Sequence, residues 1–398
     1  MGTDKQYQGY EPFDYLDAGE DYEAFDTQDG PHYFDDPYEI PLDEADEARA
    51  ERLSAAETIV SLHEHAFYFP ENIEEIDDYC RQGRAMTAYD ALAASNLDAV
   101  FDWHLDGVLR MHSKNGWKFS EVVHDLGIRA ADIAKQEFVT RAGSVDDIRE
   151  AHENGQVAIV PSIEGCMMIE NELDRLDVLY GLGVRALGIT YSESNALGTG
   201  INDEDSDGGL TSFGEDAVER MNKLGILIDP SHASRQTTLD TCAASEDPVM
   251  LSHNGARDLL DITRLDADEV LEAVADTGGV IGIQSAPHNV ASPDHPTHTI
   301  ESVMDHFEYV KDLVGIDHVS FGPDTLYGDH VGLHKYMGKN YDKYPDWQEV
   351  EFEYVEGMEN PTEAWHNIVR WLVREGYSDE EIRKVTGGNT LRVLEAVW

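Results

Sequence analysis

From residue 58 onward, the sequence alternates short runs rich in β-branched residues with longer segments of helical periodicity. This alternation is typical of βα units that build a parallel sheet. Eight strands are predicted, at residues 58–62, 99–103, 157–161, 184–189, 226–229, 249–252, 280–284 and 318–321. Eight strands joined by helical crossovers predict an α/β fold of the (β/α)8 TIM-barrel type, and a doubly wound open sheet is the alternative that the pattern leaves open.

Helices are predicted between the strands at residues 170–180, 214–224, 267–275 and 300–313, and C-terminal helices at 361–375, 379–385 and 391–397. Residues 327–358 contain several glycines and aromatic residues, which predicts a long connection after the eighth strand. In a barrel, this connection would overhang the carboxyl ends of the strands and form a lid or pocket wall.

The first 57 residues form an N-terminal extension ahead of the barrel domain, which is predicted at residues 58–398. The extension contains 18 acidic and 3 basic residues, with nine aromatic residues before residue 40. Such charge is typical of disordered segments. The interleaved aromatic residues favour an arm that packs on the body, and the sequence does not decide between the two.

The charge balance excludes several classes of partner. The chain has 28 Lys+Arg against 81 Asp+Glu, a net charge of −53, and this field repels nucleic acid and anionic membrane surfaces. The acidic excess is spread along the whole chain, which indicates a halophilic cytoplasmic protein, with an ordinary acidic cytosolic protein as the alternative. We expect no membrane anchor, because no apolar run approaches the roughly 20 residues of a span. Three cysteines without a CxxC pair indicate neither disulfides nor a thiolate zinc site.

Residue types that bind metals recur at the predicted strand ends. His63 and His65 follow the first strand, and residues two apart in a strand face the same side, so both imidazoles can bind one metal ion. Further candidates follow other strands, namely Glu164, His232, His253 and Asp324. Neutral imidazoles suit zinc, and a carboxylate such as Glu164 can bridge two ions about 3.5–4 Å apart. Two metal ions that share a water lower its pKa and polarise a carbonyl, which is chemistry that hydrolyses amides.

Several motifs in this order also resemble the membrane dipeptidase (renal dipeptidase) family of zinc-dependent barrel enzymes, over roughly residues 58–398. They lie at residues 162–165 (SIEG), 182–185 (LGVR), 209–214 (GLTSFG), 221–232 (MNKLGILIDPSH), 248–253 (PVMLSH), 279–282 (GVIG) and 387–393 (GGNTLRV). The resemblance implies two divalent metal ions, most readily zinc. It implies that His63 and His65 bind the first ion, that His232 and His253 bind the second, and that Glu164 bridges them.

The resemblance also implies roles beside the metal ions. Asp324 would be the general base on the bridging water, and Arg264 would bind the substrate carboxylate through its forked guanidinium. The chain departs from the family at two positions. His65 stands where the family usually has aspartate, which adds one unit of positive charge to the site. Tyr191 stands where the family has a histidine that contacts the scissile carbonyl, and a phenol can still donate a hydrogen bond to an oxyanion.

The predicted function is hydrolysis of the amide bond of a dipeptide through a metal-bridged water. A related amidohydrolase that acts on a cyclic amide, an N-acyl amino acid or a lactone is the nearest alternative, because an HxH motif on the first strand is as natural there. A catalytically idle binding or scaffold protein is the alternative of another class, and the presence of the metal-binding residues argues against it. A small-molecule substrate is the expected partner, and a homodimer is an assembly that the sequence leaves open.

Overall fold

The computed structural model describes residues 5–34, 36–104, 117–340, 347 and 350–398. Its strands, in chain order, are β1 Val60–Tyr68, β2 Met86–Thr87, β3 Ala99–His104, β4 Val139–Arg141, β5 Val157–Ile163, β6 Ala186–Gly188, β7 Leu227–Asp229, β8 Met250–Asn254, β9 Val280–Ile283, β10 Val319–Phe321 and β11 Thr325–Tyr327. Each of the eight predicted strands is present with shifted ends, and β2, β4 and β11 are additional.

The α-helices among the described residues connect and cover these strands. In chain order they are α1 Glu44–Ala56, α2 Ile76–Arg81, α3 Tyr89–Ala94, α4 Phe119–Ile133, α5 Val145–Glu153, α6 Asp174–Gly181, α7 Ser212–Leu224, α8 Arg235–Ala244, α9 Asp268–Asp276, α10 Ile300–Val314, α11 His330–Asn340, α12 Pro361–Arg374, α13 Asp379–Arg383 and α14 Asn389–Val397. None of these helices combines the length and apolar character needed to cross a membrane.

The strands lie in two sheets whose combined order follows the chain. One sheet has the order β11-β1-β3-β5-β6-β7 and the other has the order β10-β9-β8, with parallel neighbours along both paths. Sequential order is the arrangement of a (β/α)8 barrel, whereas a doubly wound sheet reverses its order midway. The predicted α/β fold of the TIM-barrel type is therefore confirmed.

In the described part of the chain, no ladder hydrogen bonds connect the two sheets. Close contacts between their edge strands join them instead. The backbone N–H of Ser252 in β8 donates to the Asp229 carboxylate at the end of β7, over 3.1 Å. Gly322, next to the end of β10, lies so close to β8 and β1 that a Cβ there would come within 1.9 Å of the Ser252 carbonyl oxygen and 3.1 Å of the His63 Cβ. A glycine at this position allows β10 to approach both strands.

The core explains why the strands were predictable. Parallel strands covered by helices are buried on both faces and form nearly continuous apolar runs. β3 and β5 are buried throughout, and their side chains pack with those of β1 and helix α14. Helix α12 is buried over most of its length, and Trp365 is one of its buried side chains. Each large apolar side chain that is removed from water stabilises the fold by roughly 1.5–3 kcal/mol.

Two segments differ from the sequence prediction. β1 runs to Tyr68, so His63 and His65 lie inside the strand and not after it. The strand is longer than predicted because Glu64 and His65 pair with residues of β11. The sequence did not predict β11. The predicted connection at residues 327–358 contains helix α11. Residues 341–346, 348 and 349 of that connection lie outside the described residues.

The segment that precedes α1 contacts the barrel domain at several buried points. We call residues 5–34 and 36–43 the N-terminal arm. The Lys5 ammonium donates to the Leu97 carbonyl and to the Asp98 carboxylate, at 2.6 and 2.9 Å. Phe13 is 1% exposed. The backbone of Ile40 exchanges hydrogen bonds with side chains of α12.

Candidate metal centre

Strand β1 presents two imidazoles on one side. His63 and His65 are buried, and their ring centroids lie 5.4 Å apart, as the two-residue period of a strand predicts. His65 Nδ1 lies 3.1 Å from the Trp103 carbonyl oxygen of the neighbouring strand β3. A carbonyl can only accept, so His65 carries its proton on Nδ1 and turns the Nε2 lone pair inward.

Three more side chains converge on the same point from other strands. Glu164 directly follows β5, His232 follows β7, and His253 lies in β8. His232 Nε2 and His253 Nε2 lie 2.9 and 3.4 Å from Glu164 Oε1. His63 Nε2 lies 3.6 Å from the same oxygen, and the rings of His63 and His253 contact each other with centroids 3.7 Å apart.

Within the described part of the chain, three groups of side chains could hold a metal ion. They are His63, His65 and Glu164; His63, His253 and Asp324; and Glu164, His232 and His253. The first and the last groups share Glu164, and the second group joins His63 to His253. We call these six residues the metal centre.

Electrostatics at the metal centre favours neutral histidines. Burial lowers the pKa of His63, His232 and His253 well below the usual value, and neighbouring positive groups lower it further. Metals bind neutral imidazoles, because the lone pair of a protonated ring is occupied. Burial therefore prepares these three side chains for coordination.

The hydrogen bonds of the metal centre are incomplete on its inner side. The buried Nε2 atom of His63 has no hydrogen-bond partner among the described residues. His232 Nε2 and His253 Nε2 lie 3.0 Å apart, and both also lie within 3.4 Å of Glu164 Oε1. An unpartnered buried nitrogen beside a cluster of imidazoles and carboxylates fits a divalent cation.

Asp324 approaches the metal centre from the barrel mouth. One of its carboxylate oxygens lies 3.5 Å from His63 Nε2 and 3.3 Å from His65 Nε2, and its side chain is 17% exposed. Its backbone has φ 57°, a left-handed conformation that costs on the order of 1 kcal/mol or more outside glycine. The Asp324 N–H donates to the His63 carbonyl oxygen over 3.1 Å, which ties this residue to β1.

The residue between the two β1 histidines faces the opposite side of the strand. Glu64 accepts hydrogen bonds from the Thr325 N–H and hydroxyl, at 2.9 and 2.7 Å, and from Ser61 and Trp365, at 3.0 and 3.1 Å. Burial raises the pKa of Glu64 to about 8, although these bonds oppose the shift. Glu64 therefore fastens the strand that follows Asp324 to β1 and to helix α12.

A cavity of about 310 Å³ opens beside the metal centre. Tyr191 lines it, and its ring packs against His232 with centroids 4.4 Å apart. Arg264 also lines it, and its guanidinium donates to the carbonyl oxygens of Ser231 and His253, each over 3.0 Å. The predicted residues His65, Glu164, His232 and Asp324 also line this cavity, whereas His63 and His253 are fully buried in the metal centre. Arg264 also fastens the backbone next to His232 and at His253.

Residues of the 327–358 connection form part of the cavity wall, as the sequence predicts, but its individual side chains were not singled out from the sequence. Helix α11 contributes His330, Leu333 and His334, and His288 lies opposite, with its ring centroid 5.7 Å from that of His334. Burial lowers the pKa of His288 and His330 to about 4, so this wall is uncharged. The HxxxH spacing of residues 330 and 334 is the sequence signal that could have indicated a helix face directed at the site.

The fold and the metal centre define a class of protein, a metal-dependent hydrolase on a barrel-like α/β fold. The family model for membrane dipeptidases, peptidase family M19, matches residues 48–348. The chain belongs to this family and is a metal-dependent dipeptidase.

Individual relatives agree with this assignment. Dipeptidase verJ of Clonostachys rogersoniana is 27% identical over 347 residues, covering 83% of this chain and 80% of that protein. The crystal structure of an amidohydrolase from Pseudomonas aeruginosa is 25% identical, with a TM-score of 0.72 over 88% of this chain and 99% of that one. A Rhodobacter sphaeroides metallopeptidase, crystallised with a phosphinate mimic of L-Ala-D-Ala, shares the fold at 18% identity, with a TM-score of 0.65 over 86% of this chain and 99% of that one.

Proposed function

We propose that this dipeptidase binds two divalent metal ions, zinc in the first place, and hydrolyses dipeptides with a free terminal carboxylate. His63 and His65 would hold the first ion, His232 and His253 the second, and Glu164 both. The observation that carries the proposal is the pair of ligand groups that share Glu164. When bound, such ions supply Lewis acidity that lowers the pKa of water and polarises a carbonyl.

Asp324 is the proposed proton acceptor. Its carboxylate oxygen lies within 3.5 Å of both β1 imidazoles and its side chain is partly exposed to the cavity, so water that enters the metal centre would meet it. A general base must lie within hydrogen-bond reach of the proton that it removes. The hydrogen bond from its N–H to His63 holds the carboxylate at this place.

Arg264 is the proposed recognition residue for the substrate carboxylate. Two of its N–H groups are held by backbone carbonyls, and a guanidinium has five in total. A guanidinium that is already fixed loses little side-chain entropy when it binds an anion. Tyr191, which lines the same cavity, would donate a hydrogen bond to the developing oxyanion.

The cavity supports a small substrate. Its volume of about 310 Å³ is at the lower end of the range for small-molecule sites, roughly 300–1,000 Å³. Helix α11 and the side chain of Trp347 form part of its wall. We propose that this wall excludes longer peptides.

The solution environment is a further part of the proposal. A net charge of −53 supports a halophilic cytoplasmic protein, because molar salt screens repulsion between carboxylates. A melting temperature that rises from low to molar KCl is the expected result, and no dependence on KCl would contradict it. A homodimer is left open by the sequence, and light scattering would test it.

The alternative is hydrolysis of another amide or a lactone. Histidine at position 65, where the family usually has aspartate, and the similarity to a protein named as an amidohydrolase favour this candidate. A panel of dipeptides, N-acyl amino acids, cyclic dipeptides and lactones, assayed on protein stripped of metal and reloaded with zinc, separates the two. We expect the dipeptides to be cleaved fastest. Cleavage of only the other substrates would favour the alternative, and zinc-independent activity would contradict both.

A further inference from the structure

One hydroxyl group lies between a histidine proposed to bind the first metal ion and a histidine proposed to bind the second. Ser252 is fully buried in β8, and its Oγ lies 3.0 Å from His63 Nδ1 and 2.7 Å from His253 Nδ1. His63 lies in the group proposed for the first metal ion, and His253 in the group proposed for the second. The same oxygen therefore contacts a ligand of each ion from behind.

The proton of this hydroxyl is already committed. Ser252 Oγ lies 2.5 Å from Asp229 Oδ2, and the Ser252 N–H donates to Asp229 Oδ1. The Asp229 carboxylate also accepts hydrogen bonds from the N–H and the hydroxyl of Ser231. A carboxylate surrounded by four donors acts as an acceptor, so the single proton of Ser252 points at Asp229.

The proton count then fixes both imidazoles. With its proton donated to Asp229, Ser252 Oγ offers two lone pairs, and each can accept one Nδ1–H. His63 and His253 must therefore both carry their protons on Nδ1, which leaves both Nε2 lone pairs directed into the metal centre. In metal-binding histidines, the hydrogen bond made by the ring nitrogen that faces away from the metal commonly sets the tautomer in this way.

We propose that Ser252, oriented by Asp229, is a positioning residue that fixes the tautomer and the direction of His63 and His253 together and thereby supports both metal positions. This inference rests on the ligand set of the proposed function. The other ligand histidines have separate partners, because His65 uses the Trp103 carbonyl and His232 Nδ1 lies 3.3 Å from Ser192 Oγ. Loss of the Ser252 hydroxyl should thus weaken both positions, whereas loss of the Ser192 hydroxyl should weaken one.

The test is a zinc titration of the metal-free full chain against a chromophoric chelator, which gives a dissociation constant for each equivalent. We expect Ser252→Ala to raise both constants, each by about 10–100-fold, the range found for partners of metal-binding histidines. Ser192→Ala is the matched variant and should raise one constant. Ser231→Ala removes a donor to Asp229 and a 3.4 Å contact with Ser252 Oγ but no imidazole contact, so both constants should rise less than in Ser252→Ala.

A second readout separates positioning from general destabilisation. In ¹⁵N-histidine spectra of the metal-free protein, two histidines of Ser252→Ala should lose the pure Nδ1–H pattern, while the unfolding midpoint in urea shows that the chain is folded. If Ser252→Ala does not fold, Asp229→Asn is the substitute. Its amide would donate to Ser252 Oγ, so the hydroxyl proton would turn to one imidazole Nδ1 and only one lone pair would remain for the other ring. At least one constant should then rise, and two unchanged constants would overturn the proposal.

The outcomes distinguish this inference from the function on which it rests. If the wild type binds two zinc ions and Ser252→Ala changes neither constant, or only one, the positioning role is wrong and the proposed function stands. Unchanged tautomers in Ser252→Ala would also overturn it. If the wild type binds no zinc, the ligand set itself is wrong, and the inference falls with it.

Discussion

Two buried polar clusters of this molecule differ in how completely their hydrogen bonds are made. In the first, Asp132 of α4 accepts hydrogen bonds from the Tyr10 hydroxyl and the Phe13 N–H of the N-terminal arm and from the Tyr89 hydroxyl, at 2.7, 2.8 and 2.7 Å. We call these four residues the arm anchor. In the second, the metal centre, the buried His63 Nε2 has no hydrogen-bond partner within the described residues.

The difference separates groups that stabilise the fold from groups that serve its chemistry. A buried carboxylate with matched donors contributes on the order of 1 kcal/mol per hydrogen bond. Buried polar atoms without partners cost free energy, and they persist where a ligand completes them or where function requires them. The arm anchor should therefore respond to mutation through stability, and the metal centre through metal content and rate.

The largest expected effect is that of Glu164→Gln. An amide cannot serve two cations as a carboxylate does, so metal content should fall from two equivalents to one or none, and kcat should fall by about 10³-fold or more, since Lewis acidity contributes several kcal/mol. Elemental analysis of the purified variant, with its dipeptidase rate, checks this. If Glu164→Gln kept two equivalents of metal and full activity, the bridging role would be wrong. The metal centre would then not differ from the arm anchor in its response to mutation.

Within the metal centre, Asp324 and Arg264 should separate chemistry from recognition. Asp324→Asn should lower kcat by about 10²–10⁴-fold on a dipeptide and on its amidated analogue alike, because a general base is lost. Arg264→Ala should mainly raise KM, and more for the dipeptide than for the amide. Steady-state kinetics on both substrates checks the pair. If Arg264→Ala affected the dipeptide and the amide equally, Arg264 would have only a structural role, through its hydrogen bonds to the Ser231 and His253 carbonyl groups.

The arm anchor should show the opposite response. Asp132→Ala leaves three donors without their acceptor, so the free energy of unfolding should fall by about 2–4 kcal/mol. Asp132→Asn is the conservative control, because its oxygen can keep two donors and the Tyr89 hydroxyl can accept from its amide. Urea unfolding measures both, and metal content should stay unchanged. If Asp132→Ala were fully folded but had lost metal, the arm anchor would also support metal binding, and the difference from the metal centre would be wrong.

The smallest effect concerns pH. His152 Nδ1 lies 3.0 Å from the Asp98 carboxylate, and this ion pair raises the pKa of His152, although burial opposes the shift. Stabilisation is then complete below the unfolded pKa of about 6.5 and is lost as pH rises through the higher folded value. Urea unfolding at pH 6 and pH 8 should show a decrease that is absent in His152→Gln. A decrease of the same size in that variant would assign it to other groups.

The strands and the ligand types were predictable because their signals are local. Runs of β-branched residues mark buried parallel strands, and the spacing of His63 and His65 follows from the period of a strand. The extension of β1 through these histidines was not predictable, since β11, the strand that pairs with it there, begins at Thr325, far along the chain.

Residues that act through long-range contacts were also missed. Glu64 contacts Thr325 and Trp365, and Ser252 contacts His63, at sequence separations that no local pattern encodes. The barrel topology places the Ser252 hydroxyl behind two imidazoles.

The proposed function places two metal ions in the metal centre, bridged by Glu164. Anomalous diffraction at the zinc absorption edge, from crystals of zinc-loaded protein, locates them. We expect two peaks, one within coordination distance of His63 and His65 and one within coordination distance of His232 and His253, with Glu164 reaching both. A single peak, or peaks away from these histidines, would show that the proposed metal positions are wrong.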